Sequence, residues 1–217
     1  MECDLWATAD GVPVLLHDEH LPDLRRDVGE IWRYRWEEVA PPLAMIRGRQ
    51  ESGPITQTIL STLSSALGAL NRPAGVLAEI KPIDHRSLVA AVVEMFRRRP
   101  SLFSGGHKGP WKIMSFHPSN LVHAWSIDPT ISCVLLVETH AQLERAIREQ
   151  WPEVYPSHDL LTRGVCDRLR ASGSSVGVWT VNETPDIDRA LELGVDMIIT
   201  DEPHRVRAAT EAMRSGT

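Results

Sequence analysis

A chain of 217 residues with 42% hydrophobic and 24% charged residues has the composition of one ordinary globular domain, so we predict a single domain over residues 1–217. Its formal net charge of −6 argues against a nucleic-acid partner. No apolar run approaches the ~20 residues of a membrane span and the acidic N-terminus does not resemble a signal peptide, so we predict a cytoplasmic protein with no transmembrane segment. The three widely spaced cysteines are expected to be buried thiols.

Short aliphatic segments alternate with amphipathic ones along the chain. The aliphatic segments predict strands buried on both faces, at 2–6, 12–16, 75–80, 112–115, 132–137, 175–180 and 197–200. The amphipathic segments predict helices near 36–39 and at 56–71, 85–99, 139–149, 162–172, 185–193 and 204–214. A repeated strand–helix order predicts an α/β fold in which helices cover a parallel sheet.

The first predicted strand carries two acidic residues, Glu2 and Asp4. Because side chains alternate between the two faces of a strand, both carboxylates point the same way. Two converging carboxylates repel each other unless a cation lies between them, and Mg²⁺ or Ca²⁺ prefers such oxygen ligands. By itself the pair also fits a frayed acidic N-terminus.

The next two strands end in further ionisable residues. His17 ends the strand that follows the Ala9-Asp10-Gly11 turn, where an imidazole could transfer protons near neutral pH. Glu79 and Lys81 share one face at the end of the strand 75–80, and charges in a doubly buried strand are costly unless they are paired or bound. Glu79 could complete the metal site and Lys81 could hold a phosphate; a structural Glu–Lys pair is the alternative.

Later strands also end in polar or aromatic residues. Ser115 and His117 follow the strand 112–115, Trp179 lies within the strand 175–180, and Asp201 follows the strand 197–200. Trp179 also fits a core position, and Asp201 also fits the start of the last helix. In a closed barrel of parallel strands, however, the carboxyl ends of all strands face one mouth, where catalytic groups gather.

These stretches resemble, in this order, the glycerophosphodiester phosphodiesterase family. The resemblance rests on Glu2-Cys3-Asp4, DGVPVLLHDEHL at 10–21, Glu79-Ile80-Lys81, SFHP at 115–118, VGVWTVN at 176–182 and GVDMIITDEP at 194–203. It spans nearly the whole chain, although residues 22–74 match poorly. It implies a TIM-type (β/α) barrel that uses Mg²⁺ or Ca²⁺ to hydrolyse small glycerophosphodiesters to sn-glycerol 3-phosphate and an alcohol, in lipid metabolism.

The resemblance also implies roles for individual residues. Glu2, Asp4 and Glu79 would be metal ligands, and His17 would protonate the leaving oxygen. Lys81 would contact the phosphate, and Trp179 would line the glycerol pocket.

The chain departs from the family at its start. The family's first strand, which ends in His-Arg-Gly and carries a second catalytic histidine, and its first helix have no counterpart here. We therefore expect an N-terminally truncated member with an incomplete barrel, whose open seam a second copy of the chain would cover. Loss of one of two proton-transfer groups would lower activity by ~10²–10⁴-fold. The alternatives are a non-catalytic protein that binds a metal or a glycerophosphate, and a phosphodiesterase of the lysophospholipase D type.

Two other histidines, His117 and His158, are of interest because both lie near predicted strand ends.

Overall fold

The fold is known from a computed structural model, which describes residues 1–18, 29–40, 60–69, 75–98 and 111–215. The chain forms two compact units, one of residues 1–113 and 119–132 and the other of residues 114–118 and 133–217. The Gly-rich segment at 101–111, which its composition predicts to be a connection, lies almost wholly outside the described residues. The single-domain prediction stays a prediction.

Strands of the first unit lie in the order β3-β2-β1-β4-β5. These are β1 (Glu2–Ala7), β2 (Pro13–Leu15), β3 (Ser61–Thr62), β4 (Val76–Ile80) and β5 (Trp111–Ser115), the last of which contributes residues to both units. β1 and β4 are parallel, whereas β2 is antiparallel to both β1 and β3. The predicted turn between β1 and β2 is confirmed, because Gly11 has a φ of +81° that suits a residue without a Cβ.

Helices of the first unit cover these strands with apolar faces. They are a 3₁₀ turn (Ile31–Arg33), α1 (Trp36–Val39), α2 (Leu63–Ala69), α3 (Arg86–Arg97) and α4 (Pro118–Ile127), of which α4 belongs to this unit from residue 119. In α3 the buried residues Leu88, Val92 and Phe96 recur every fourth position, and Phe96 meets Trp111 of β5 edge-on, with ring centroids 4.8 Å apart. His85 begins this helix, since its Nδ1 accepts from the Leu88 amide at 3.2 Å.

The second unit repeats a strand–helix pattern. Its elements are β6 (Ser132–Val137), which begins with one residue of the first unit, α5 (His140–Arg148), β7 (Glu153–Pro156), a 3₁₀ turn (His158–Leu160), α6 (Arg163–Ala171), β8 (Ser175–Val178), α7 (Thr184–Glu192), β9 (Met197–Ile198) and α8 (Pro203–Ser215). Its strands lie in the order β6-β7-β8-β9 and all pair in parallel. Gly173 and Gly194 follow α6 and α7 with φ of +91° and +61°, as helix-ending glycines do.

The predicted elements and the observed ones agree in type with a few exceptions. β7 and α4 were not predicted, because Pro152, Pro156 and Pro118 at their ends are more typical of loops. The segment 56–71 was predicted as one helix; its described part, residues 60–69, is instead the short strand β3 followed by α2. All three cysteines are buried free thiols, as predicted. Within the described ranges, no helix has the length and apolar character that crossing a membrane requires.

Candidate functional site

The register between β1 and β4 brings the predicted metal ligands together. Asp4 lies directly opposite Glu79, and Glu2 lies opposite Leu77, two positions earlier. Because the pair is parallel and in register, the side chains of Asp4 and Glu79 leave the same face of the sheet. One carboxylate oxygen of each of Glu2, Asp4 and Glu79 lies within 4.8 Å of the others.

Lys81 adds the single positive charge that contacts this cluster among the described residues. It follows Glu79 by two positions on the same face, and its Nζ lies 3.0 Å from Asp4 Oδ1 and 3.1 Å from Glu79 Oε1. The predicted grouping of Glu79 with Lys81 is therefore observed, and the lysine also reaches the neighbouring strand.

Three carboxylates facing one ammonium leave excess negative charge in a partly dry place. Burial, with added repulsion from Asp4 and Glu79, raises the pKa of Glu2 to about 7. Burial also raises the pKa of Glu79 to about 7, although Lys81 acts in the opposite direction. For Lys81 burial acts to lower the pKa, but the adjacent Glu79 and Asp4 carboxylates raise it overall. The folded chain thus keeps carboxylates where they are costly to ionise.

The donor set fits a hard divalent cation. Oε1 of Glu79 is buried and receives no well-directed hydrogen bond, although Lys81 Nζ lies 3.1 Å away. The oxygen is thus paired by charge but lacks the well-directed hydrogen bond that buried polar atoms normally have. Mg²⁺ and Ca²⁺ both take carboxylate oxygens as ligands, so a cation bound by Glu2, Asp4 and Glu79 would satisfy this oxygen and offset the excess charge.

His17 lies beyond the end of β2, next to the same region. Its side chain is 76% exposed, and its Nδ1 lies 2.8 Å from Asp18 Oδ1. It is close enough to the cluster that its charge acts to lower the pKa of Glu2. An exposed imidazole oriented by a carboxylate through one ring nitrogen can exchange a proton with a ligand through the other.

Two residues that support this site were not singled out from the sequence. Trp6 continues the face of Glu2 and Asp4 along β1, and its Nε1 donates to the His17 carbonyl at 3.3 Å. The alternation of β1 could have identified it. The buried Asn120 fixes the loop after Lys81, donating to Pro82 O at 2.8 Å and accepting from His85 N at 3.1 Å. Nothing in the sequence near Asn120 indicates this contact.

The other predicted residues lie in the second unit, where local contacts satisfy them. Trp179 Nε1 donates to Tyr155 O at 2.8 Å, and its ring meets Phe116 edge-on with centroids 5.2 Å apart. Asp201 Oδ2 accepts from Asn182 Nδ2 at 2.8 Å, and Asn182 Oδ1 accepts from the Asp201 amide at 2.9 Å. Asp201 thus joins the ends of β8 and β9.

The two further histidines of interest have structural contacts in the same unit. The amide of His117 donates to Ser115 Oγ at 3.1 Å, which forms a tight turn after β5. The amide of His158 donates to Trp179 O at 2.7 Å, and its Nδ1 lies 3.8 Å from Asp186 Oδ2.

Known proteins of one family are similar to this chain over nearly its full length. The model of the glycerophosphoryl diester phosphodiesterase family matches residues 1–205. A relative from Mycobacterium tuberculosis is 26% identical over 237 residues, covering 99% of this chain and 83% of its own length. The glycerophosphodiester phosphodiesterase of Bacillus subtilis is 24% identical over 234 residues, covering 95% of this chain and 76% of that protein.

Solved structures with this fold come from the same group of proteins. One from Silicibacter pomeroyi superposes with a TM-score of 0.78 at 23% identity, covering 98% of this chain and 83% of that one. A phosphodiesterase from Oleispira antarctica, solved with its product sn-glycerol-3-phosphate, has a TM-score of 0.74 at 21% identity, covering 97% of this chain and 84% of that one. The likeness confirms the predicted fold class, the α/β fold of the TIM-type barrel.

Proposed function

The chain belongs to the glycerophosphoryl diester phosphodiesterase family, whose named members are phosphoric diester hydrolases, and we propose that it hydrolyses small glycerophosphodiesters to sn-glycerol 3-phosphate and an alcohol. The observation that carries the proposal is the cluster of Glu2, Asp4 and Glu79 with its buried, poorly satisfied oxygen. The product bound to the Oleispira antarctica phosphodiesterase supports the choice of product.

Glu2, Asp4 and Glu79 would hold the divalent cation, Mg²⁺ or Ca²⁺. A cation bound there would polarise the phosphoryl oxygens and offset the charge that develops as the P–O bond breaks. The carboxylates supply its negative environment, and the burial of Glu79 keeps water from competing for one of the ligand oxygens.

The remaining polar groups would handle the substrate. Hydrolysis adds water across the P–O bond, so phosphorus gains the water oxygen and the leaving alcohol gains a proton. His17, oriented by Asp18, would give that proton. Lys81, with its ammonium at the cluster, would bind a phosphate oxygen.

Several finer assignments stay predictions. Trp179 as a glycerol-pocket residue is tested by Trp179→Ala, which should raise KM for glycerophosphodiesters more than it lowers kcat if the ring contacts glycerol. A cytoplasmic location, a place in lipid metabolism and a homo-oligomer are likewise predictions from the sequence.

The proposal is tested by turnover. The full chain, stripped of metal with EDTA and then given Mg²⁺ or Ca²⁺, is incubated with glycerophosphocholine or with a lysophospholipid, and sn-glycerol 3-phosphate, lysophosphatidic acid and choline are measured. We expect metal-dependent release of sn-glycerol 3-phosphate from glycerophosphocholine. Release of lysophosphatidic acid alone would favour the lysophospholipase D alternative, and binding of metal without turnover of either substrate would favour the non-catalytic one.

A further inference from the structure

Lys81 makes contacts that binding a phosphate does not require. Its Nζ lies 3.0 Å from Asp4 Oδ1 and 3.1 Å from Glu79 Oε1, which places the ammonium against two of the three carboxylates that would bind a cation. Its side chain is 18% exposed, so these carboxylates rather than bulk water solvate the charge.

An ammonium and a divalent cation at this cluster share the carboxylates of Asp4 and Glu79. Two cations that contact one carboxylate repel each other, and this repulsion is weakly screened in a partly buried site. The Glu79 oxygen near Lys81 is also the one without a well-directed hydrogen bond, so the lysine satisfies it only by its charge.

We propose that Lys81 is an exchangeable internal cation, whose ammonium is displaced when a divalent cation binds Glu2, Asp4 and Glu79 and then binds the phosphate group of the ligand. This inference rests on the proposed function, because it needs the metal and the phosphate ligand to bind at this cluster. It makes Lys81 a residue that couples the two binding events.

The surrounding backbone favours a movement of the side chain alone. The Lys81 amide donates to Leu5 O at 3.2 Å, which ties the residue to β1. The next residue, Pro82, is held through its carbonyl by Asn120 at 2.8 Å. The flexible four-carbon stem of lysine can therefore reorient while the backbone on both sides of it stays in place.

The exchange predicts opposite effects on two ligands when the charge of Lys81 is removed. Lys81→Met keeps the unbranched stem of the side chain but removes the competing cation, so the divalent cation should bind more tightly. The same change removes the phosphate contact, so the anion should bind more weakly. A lysine that only stabilises the local structure would weaken both.

The test uses isothermal titration of the full chain with Mg²⁺ and with Ca²⁺, followed by titration of the metal-saturated protein with sn-glycerol 3-phosphate. Working near pH 8.5 keeps Glu2 and Glu79 ionised, since the pKa of each is about 7. We expect Lys81→Met to bind the metal about 5–10-fold more tightly and the anion about 10-fold more weakly than the wild type. Arg207→Met, which removes an exposed positive charge from α8, should change neither by more than about 2-fold.

A second measurement follows the wild-type lysine directly. The chain has three lysines, Lys81, Lys108 and Lys112, so spectra of protein labelled with ¹⁵N and ¹³C in lysine can be assigned with single substitutions. Adding Mg²⁺ should shift the Lys81 side-chain signals most, and adding sn-glycerol 3-phosphate afterwards should shift them again.

The outcomes separate the exchange from the proposed function. Metal binding that Lys81→Met leaves unchanged or weakens, with Lys81 signals that Mg²⁺ does not move, would refute the exchange and leave the metal site standing. Absence of metal binding by wild type and variant alike would overturn the metal assignment and the exchange together. Opposite shifts in the two affinities would support both.

Discussion

Two places in the molecule gather polar side chains, one within the strands β1 and β4 and the other beyond the ends of β8 and β9, and they differ in how those side chains are satisfied. At the ends of β8 and β9, Asn182 and Asp201 exchange hydrogen bonds of 2.8 and 2.9 Å, and Thr200 Oγ1 donates to the Asn182 amide oxygen at 3.1 Å. On β1 and β4, three carboxylates meet one lysine, and two of them have a strongly raised pKa.

The contrast shows that residue type alone does not mark a functional site. Both places hold acidic residues, and a functional role was considered for each from the sequence. Polar groups that satisfy one another stabilise the fold, whereas partly buried carboxylates that outnumber the nearby cations favour a site for a bound cation. We therefore expect large functional effects from changes in the cluster on β1 and β4, and small ones from changes at the ends of β8 and β9.

The largest expected effect comes from removing one charge of the cluster. Glu79→Gln should lower kcat/KM for a glycerophosphodiester by about 10³-fold, because a metal contribution of several kcal/mol is lost. Asp201→Asn, the same kind of change at the other strand ends, should leave kcat/KM within about 3-fold and cost about 1 kcal/mol of stability. Steady-state kinetics and urea unfolding measure both variants, and equal losses of activity would erase the distinction between the two places.

His17→Gln should lower kcat by about 10²-fold or more, since it removes the group that would protonate the leaving alcohol. The affinity for Mg²⁺ should change little, because His17 is not among the clustered ligands. Restoring kcat with a substrate whose leaving group needs no proton, such as a p-nitrophenyl ester, would support the acid role. A variant that retains full kcat on glycerophosphocholine would contradict it.

In the second unit, Gly177 of β8 should affect stability rather than metal binding. A Cβ at this position would lie 2.6 Å from the ring of Tyr155, which is fully buried. Gly177→Ala should therefore lower the free energy of unfolding by about 2 kcal/mol, measured by urea denaturation. Its matched control is Gly164→Ala in α6, where a Cβ would meet nothing within 4 Å and which should be neutral or stabilising.

The smallest expected effect is a pH dependence of stability in the metal-free protein. Glu2 and Glu79 have a pKa of about 7 when folded and near 4.5 as free side chains, so the folded state retains protons that the unfolded state has lost. The free energy of unfolding should consequently fall as pH rises from about 4.5 to about 7, by about 1–2 kcal/mol after allowing for solvent screening. Thermal or urea unfolding across this range measures the change. In Glu79→Gln the free energy of unfolding should fall less steeply with pH than in the wild type, and equal slopes in the two proteins would contradict the raised pKa of Glu79.

The sequence predicted the chemistry of the cluster better than its geometry. The alternation of Glu2 and Asp4 and the charge of Glu79 within an aliphatic strand were enough to propose a metal site. The strand register that sets Asp4 beside Glu79 depends on contacts across 75 positions, which no local pattern encodes. The hydrogen bond from Asn120 to Pro82 joins residues 38 positions apart, and it was missed for the same reason.

In the second unit the sequence identified the family but not the roles of the residues. The motif around Trp179 and Asp201 was specific enough to identify the family, yet its local patterns could not distinguish a structural role from a catalytic one. Only the observed hydrogen-bond partners show that Asn182 and Asp201 satisfy each other.

The metal site is tested most directly by a crystal structure of the full chain grown with Mn²⁺, a stand-in for Mg²⁺ that gives an anomalous signal. We expect one strong anomalous peak about 2.0–2.6 Å from carboxylate oxygens of Glu2, Asp4 and Glu79, and none at Asp201. No peak at the three carboxylates, or a peak at Asp201 instead, would contradict it.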